Sequence, residues 1–317
     1  MKKVYLFIII LVVFFPLRPL LNYHYTSDNV YNRFVDAYEN IIKKDIFSLM
    51  MAYPEHIVDI EVVDGNEIYL ILKSGQRLIY DDSKEKNALE RLENPDLKDM
   101  MEQNYVLGDI DGLMAETYNP GRIRVYPLLK EVYGSNQYEI EKKLSGVKMS
   151  SGYHRFNSSN DAAHHLEMAV SALNQLAKNK PELWSYLYPI GGTYNYRYIS
   201  RTNRLSPHAF GIAIDFASNK NDYWQWASRE AGEKRLKSYP QEIVDIMENH
   251  YFIWGGKWGQ FDILHFEYRP EIIIKAKYFP VDEKPIVWYE NLPAEDISVS
   301  NLICFIEERL KEFSLSD

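Results

Sequence analysis

One stretch constrains this chain more than any other. Ser206-Pro207-His208-Ala209-Phe210-Gly211-Ile212-Ala213-Ile214-Asp215 reads S-x-H-x-x-G-x-A-x-D, and Asp262-Ile263-Leu264-His265-Phe266-Glu267-Tyr268 answers it downstream. Together they offer the histidines His208 and His265 and the carboxylates Asp215 and Asp262, the donor set of a catalytic zinc site, in which three protein ligands leave one position open for water. His208 and Asp215 are seven residues apart. On an unbroken strand an odd offset turns side chains to opposite faces. The pleat must therefore break between them, and Gly211 tolerates a turn or bulge that a side chain would forbid. Ile212, Ile214 and Phe216 then share one strand face. Ala213 and Asp215 share the other, where the small Ala213 leaves room for a metal. Asp262 and His265 are three residues apart, a spacing that makes neighbours in a tight turn or a single helical turn.

The chemistry divides naturally among these residues. His208, Asp215 and His265 are the expected ligands of one Zn2+ per chain, and Asp262 is the expected general base. Zinc lowers the pKa of water toward neutrality and polarises a scissile carbonyl. Asp262 takes the proton and returns it to the leaving amine. Arg197, nine residues before Ser206, is placed to stabilise an oxyanion or grip a substrate carboxylate. Ser206 is expected to hydrogen-bond substrate or a ligand. The bland alternative is a strand with a satisfied histidine and a surface aspartate; the second stretch downstream weighs against it. A serine nucleophile at Ser206 lacks a nucleophile-elbow pattern around it. His164 and His165 are adjacent on a helix, so they point about 100° apart and cannot chelate one metal together.

The remainder of the 317 residues frames this site. The net charge of -9 argues against nucleic acid as a partner. The single cysteine, Cys304, excludes an internal disulfide. Lys2 and Lys3 precede an apolar run over 4–17 that Arg18 ends. That is the pattern of a secretory signal, short for a membrane span and without an A-x-A-like cleavage site. Residues 1–22 are thus read as a signal peptide or an N-terminal membrane anchor, which places the body outside the cytoplasm, secreted or anchored. Residues 23–118 form an N-terminal helical and β-meander region. Apolar residues at steps of three and four predict a helix over 29–53 behind an Asp28 cap. Alternation around Asp64-Gly65-Asn66 and Ser74-Gly75 predicts three strands over 57–80. Pro95 and Pro240 are expected at the first positions of helices. Further helices are predicted over 161–178 and 300–313, and strands near Tyr194, Ile214, Ile253 and Phe266. Residues 119–280 carry the catalytic stretches, and 281–317 wrap the surface and end in a helix.

The first stretch resembles the signature of the zinc D-alanyl-D-alanine carboxypeptidases and dipeptidases, which pair S-x-H-x-x-G-x-A-x-D with a downstream E-x-x-H. Here Asp262 stands in the glutamate position, and D-x-x-H is similar to the branch containing L-alanyl-D-glutamate endopeptidases. Gly192-Thr193-Tyr194-Asn195-Tyr196-Arg197, Asn119-Pro120-Gly121-Arg122-Ile123-Arg124 and His265-Phe266-Glu267-Tyr268-Arg269-Pro270 also look like this wider family. The resemblance covers about 119–270. It implies an α+β fold, a small antiparallel sheet with flanking helices, and a Hedgehog/DD-peptidase-like zinc site on the sheet's open face. It also implies a peptidase of peptidoglycan stem peptides, with Tyr194, Ser206 and Arg197 as substrate contacts. A monomer is expected, with membrane contact only through the N-terminal segment. D-alanyl-D-alanine carboxypeptidase is the first expectation and L-alanyl-D-glutamate endopeptidase the second. A non-catalytic zinc-containing wall-binding module is the alternative of another class.

Overall fold

The computed structural model describes residues 27–280 and 287–313. It is a mixed α and β structure with three small antiparallel sheets. The expected N-terminal export segment lies outside the described residues. Among the described residues no helix is long and apolar enough to cross a membrane.

The chain opens with α1 (Ser27–Ala52), which buries Ile42, Ile46, Phe47, Leu49 and Tyr53 at helical spacing. Asp28 lies inside this helix, not at its cap. A meander follows: β1 (Ile57–Val63), β2 (Glu67–Leu72) and β3 (Arg77–Ile79), paired in sequence order as the turn signals required. Two short helices come next, α2 (Ala88–Glu93) and α3 (Leu97–Met101). Asp96 caps α3 through the Asp99 amide, and Asp99 returns the bond in a capping box, so Pro95 sits outside the helix, not at its first turn.

Helices α4 (Tyr126–Tyr133) and α5 (Gln137–Lys142) lead into a hairpin, β4 (Leu144–Met149) and β5 (Gly152–Asn157). Lys148, Tyr153 and Arg155 leave little apolar alternation here, so the sequence pattern does not announce this hairpin. Helix α6 (Ala162–Asn179) buries Leu166, Val170 and Leu173, as expected. After α7 (Trp184–Leu187), the segment around Tyr194 is extended but forms only isolated bridges, Gly192 with Asp215 and Tyr198 with Leu205. The strand predicted there is absent: the backbone bonds of this segment go to the loop around Ser206 and His208.

The sheet that carries the site consists of β6 (Ala213–Asp215), β7 (Phe252–Trp254) and β8 (His265–Tyr268), ordered β6-β8-β7. One-turn helix α8 (Pro207–Phe210) precedes β6, and α9 (Arg229–Lys237) and α10 (Gln241–Asn249) fill the connection to β7. Pro240 is the cap residue of α10, not its first turn. Helix α10 packs on β7 and α6, and α6 packs on the β4–β5 hairpin. Helix α11 (Pro270–Tyr278) was not foreseen and runs along α1. Tyr53 donates to Glu271 at 2.7 Å and Lys275 pairs with Asp45 at 2.6 Å across that contact. The terminal helix α12 (Ile297–Arg309) turns Val299, Ile303 and Ile306 inward, with Leu302 and Phe305 partly buried. One hydrophobic cluster runs from α1 to α12 through the three sheets.

Candidate active site

Local folding explains why His208 and Asp215 meet. Ser206 caps α8, its hydroxyl accepting from the His208 amide at 3.3 Å, and Pro207 suits the first helical position. Gly211 ends α8 in the left-handed region at φ 71°. The break between the two residues is therefore a one-turn helix with a glycine cap, not a bulge in a strand. Space as well as backbone requires glycine here. A Cβ on Gly211 would lie 2.7 Å from Leu144 Cδ2 and 3.2 Å from the Asn157 amide nitrogen. Asn157 holds this cap from both sides, its amide donating to the Gly211 carbonyl at 2.8 Å and its Nδ2 to the Phe210 carbonyl at 2.9 Å.

Sheet register does the rest. Asp215 and His265 are direct cross-strand partners on β6 and β8. The His265 amide donates to the Asp262 carbonyl at 3.0 Å, closing a tight turn, one of the two forms that the three-residue spacing allowed. The backbone bridge between Tyr223 and Asp262 fixes the turn from its other side.

These elements bring His208, Asp215 and His265 together, with one ligand atom of each within 4.8 Å of the others. Nδ1 of His265 lies 2.8 Å from Asp215 Oδ1, and Nε2 of His208 lies 3.3 Å from Asp215 Oδ2 and 3.3 Å from His265 Nδ1. The opposite nitrogen of His208, Nδ1, lies 2.6 Å from the Thr193 carbonyl. A carbonyl only accepts, so this contact places a proton on Nδ1 and leaves Nε2 as the nitrogen that faces the cluster. That is how a metal-binding histidine is oriented. The donor set, two imidazoles and a carboxylate, suits zinc. The residues present thus fit the ion.

Electrostatics agree with the donor set. Burial alone would raise Asp215, but His208 and His265 hold it well below the usual carboxylate range. Burial works against charge on His265, yet Asp215, Glu267 and Asp262 push it up to about 10. Asp262 lines the same cleft outside the three-residue cluster, and its carboxylate accepts no hydrogen bond among the described residues. Burial pushes it up to about 6, with His265 opposing and the Asp215 charge adding. A carboxylate poised near neutrality can both accept and return a proton.

Arg197 also lines the cleft, exposed and with no side-chain partner among the described residues. Ser206 lines it too, buried at the foot of α8. Tyr194 does not. Along this extended segment alternate residues face opposite ways, so Arg197 and Ile199 reach the cleft while Tyr194 turns to the far side. There its hydroxyl donates to Glu141 at 3.0 Å under the Arg155 guanidinium, 4.6 Å from the ring centroid.

Two features escaped the sequence reading. Glu267 follows His265 by two residues on β8 and shares its face, with Oε2 3.9 Å from His265 Nε2. Arg124 grips Glu267 through Nε at 2.8 Å and through Nη2, and these partners hold Glu267 well below the carboxylate range despite burial. The strand period alone could have flagged Glu267; nothing in the sequence pairs it with Arg124, across 143 positions. The other feature is Arg122, which also lines the cleft.

Residues 200–268, which span α8, β6, β7 and β8, match the sequence profile of the family described as D-alanyl-D-alanine carboxypeptidase. The match is confined to this segment, and through it the chain resembles the D-alanyl-D-alanine carboxypeptidase-like peptidases. It is also similar to the peptidoglycan L-alanyl-D-glutamate endopeptidase CwlK of Bacillus subtilis (strain 168), 40% identical over 67 residues. That match covers 20% of this chain and 40% of the relative's length. No solved structure matches.

Proposed function

We propose that this chain is an exported, monomeric zinc peptidase that hydrolyses peptide bonds in peptidoglycan stem peptides, with D-alanyl-D-alanine carboxypeptidase action as the first reading. The observation that carries the proposal is the convergence of His208, Asp215 and His265 beside Asp262 in one cleft of a peptidase-family segment. The arrangement is consistent with a Hedgehog/DD-peptidase-like fold. Lys2, Lys3 and the apolar run behind them support export.

His208 through Nε2, His265 through Nδ1 and Asp215 through a carboxylate oxygen would hold the ion. Bound zinc supplies Lewis acidity and makes water acidic near neutrality. The chain's own residues do the rest. Asp262, raised by burial, takes the proton from the attacking water and passes it to the departing amine. Thr193 keeps His208 in the required tautomer, and Glu267 fixes the His265 ring from behind. Arg197 faces the developing negative charge with a guanidinium that has no partner among the described residues. Ser206 both caps α8 and offers a hydroxyl to the cleft.

Endopeptidase action between L-alanine and D-glutamate is the second reading, favoured by Asp262 in the D-x-x-H arrangement and by the similarity to CwlK. The test is incubation of the zinc-supplemented protein with a stem pentapeptide and mass detection of products. Loss of a single alanine supports the first reading, and cleavage after the first residue supports the second. An untouched peptide contradicts both.

A further inference from the structure

Three arginines line the cleft, and each stands in a different state. Arg124 is neutralised by Glu267. Arg197 sits exposed at the rim. Arg122 is half-buried beside the proposed metal ligands and forms no ion pair among the described residues.

Arg122 is nevertheless tightly held. Gly121 turns the chain at φ 80°, with Ile253 packed where a Cβ would stand and the Arg269 guanidinium donating to its carbonyl. Arg124 Nη1 donates to the Arg122 carbonyl at 2.9 Å. Arg122 Nη1 donates to Gln260 Oε1 at 2.7 Å and to the Gln260 carbonyl at 3.4 Å. Its guanidinium lies 5.4 Å from the centroid of Trp258, whose indole is pinned by donation to the Pro120 carbonyl at 2.8 Å. Trp258 in turn lies 5.6 Å from the His265 ring, so the stack runs from Arg122 to the ligand cluster.

These contacts use only Nη1. The edge formed by Nε and Nη2 has no protein partner among the described residues, and it is the same edge with which Arg124 grips Glu267. Burial, with the charge of Arg124, pulls Arg122 down to about 10. A cation held in this way without an anion is costly unless a ligand supplies the anion. Asp262 is the nearby carboxylate, and it does not come within ion-pair distance.

We propose that Arg122 is the carboxylate-recognising residue of the cleft, taking a free carboxylate of the substrate peptide in a two-pronged contact through Nε and Nη2. The identity of that peptide rests on the peptidase reading above. Two carboxylates of a stem peptide have the required chemistry: the one at its C-terminus and the free α-carboxylate of a γ-linked D-glutamate. The first suits exopeptidase action, the second cleavage beside glutamate.

The test is calorimetric binding of a stem pentapeptide and two analogues to the full chain in zinc-containing buffer, one analogue amidated at the C-terminus and the other at the D-glutamate α-carboxylate. One amidation weakens binding to the parent by about ten-fold or more, as loss of a bidentate charged contact requires, and thereby names the source. In Arg122→Gln that discrimination disappears. Arg122→Lys, which keeps the charge but not the fork, retains only part of it. Equal binding of acid and both amides by the parent overturns the proposal, as does absence of binding. If Arg122→Gln does not fold, the parent comparison and Arg122→Lys decide. Turnover is read separately. Discrimination without cleavage leaves Arg122 in place and removes the peptidase reading; cleavage without discrimination does the reverse.

Discussion

Replacing Gly211 by alanine tests whether the break between His208 and Asp215 is what assembles the site. The perturbation has two parts. An L-residue in the left-handed region costs about 1–2 kcal/mol. The new Cβ would also stand 2.7 Å from Leu144 Cδ2 and 3.2 Å from the Asn157 nitrogen. The leucine can swing aside, but the Asn157 backbone is fixed by its bond to the Gly211 carbonyl. Overpacking of this kind adds about 1 kcal/mol or more. The total is about 3 kcal/mol, which at about 2 °C per kcal/mol for a large domain lowers Tm by about 6 °C. Because α8 carries His208, zinc affinity falls as well. Scanning calorimetry and zinc titration read the two effects. Adding Leu144→Ala relieves the side-chain contact but not the backbone terms, so a double-mutant cycle shows coupling without full recovery. An unchanged Tm in Gly211→Ala refutes the steric reasoning. A lowered Tm with unchanged zinc affinity refutes the link between the cap and the site.

Further outcomes follow from the same structure. Glu267→Gln leaves Arg124 and Arg269 facing a neutral amide in a fully buried position, so denaturant unfolding should show a loss of about 3–5 kcal/mol; a loss below about 1 kcal/mol contradicts this. His265, pushed up to about 10, carries a proton at neutral pH before metal enters. Zinc uptake at pH 7 therefore displaces about one proton, and affinity falls as pH falls; calorimetry in buffers of different ionisation enthalpy detects the release, and buffer-independent heats would contradict it. Tyr239 packs on Trp254 with ring centroids 5.2 Å apart while its buried hydroxyl has no partner among the described residues. Tyr239→Phe should accordingly leave stability unchanged or raise it by about 1 kcal/mol, and a clear loss would reveal a bond that the hydroxyl makes.

Much of the site was legible because its chemistry is local. His208, Gly211 and Asp215 fall within one short stretch, and the turn from Asp262 to His265 follows from spacing alone. What brings the two stretches together is not local. The pairing of Asp215 with His265 is a matter of strand register, and three-residue strands such as β6 and β7 carry too few alternations to declare it. The segment at Tyr194 shows tyrosine alternation because it is extended, yet its hydrogen bonds go to a loop. Helix α11 was hidden because Ile272, Ile273, Ile274, Lys275 and Ala276 are buried around the whole helix, which erases the amphipathic period. Arg122 and Arg124 stand in one family-like string of the sequence with nothing to tell them apart; only their partners, Gln260 and Glu267, separate a cleft cation from a neutralised one.

The central claim is that His208, Asp215 and His265 hold a zinc ion at which Asp262 acts as base on a stem peptide. Metal analysis of the chain and its Asp262→Ala variant, each then incubated with defined muropeptides under mass detection, tests it most directly. The account predicts one zinc in both proteins and cleavage by the parent alone. Zinc without cleavage in either protein would leave a binding module in place of an enzyme, and absence of zinc from the parent would contradict the claim itself.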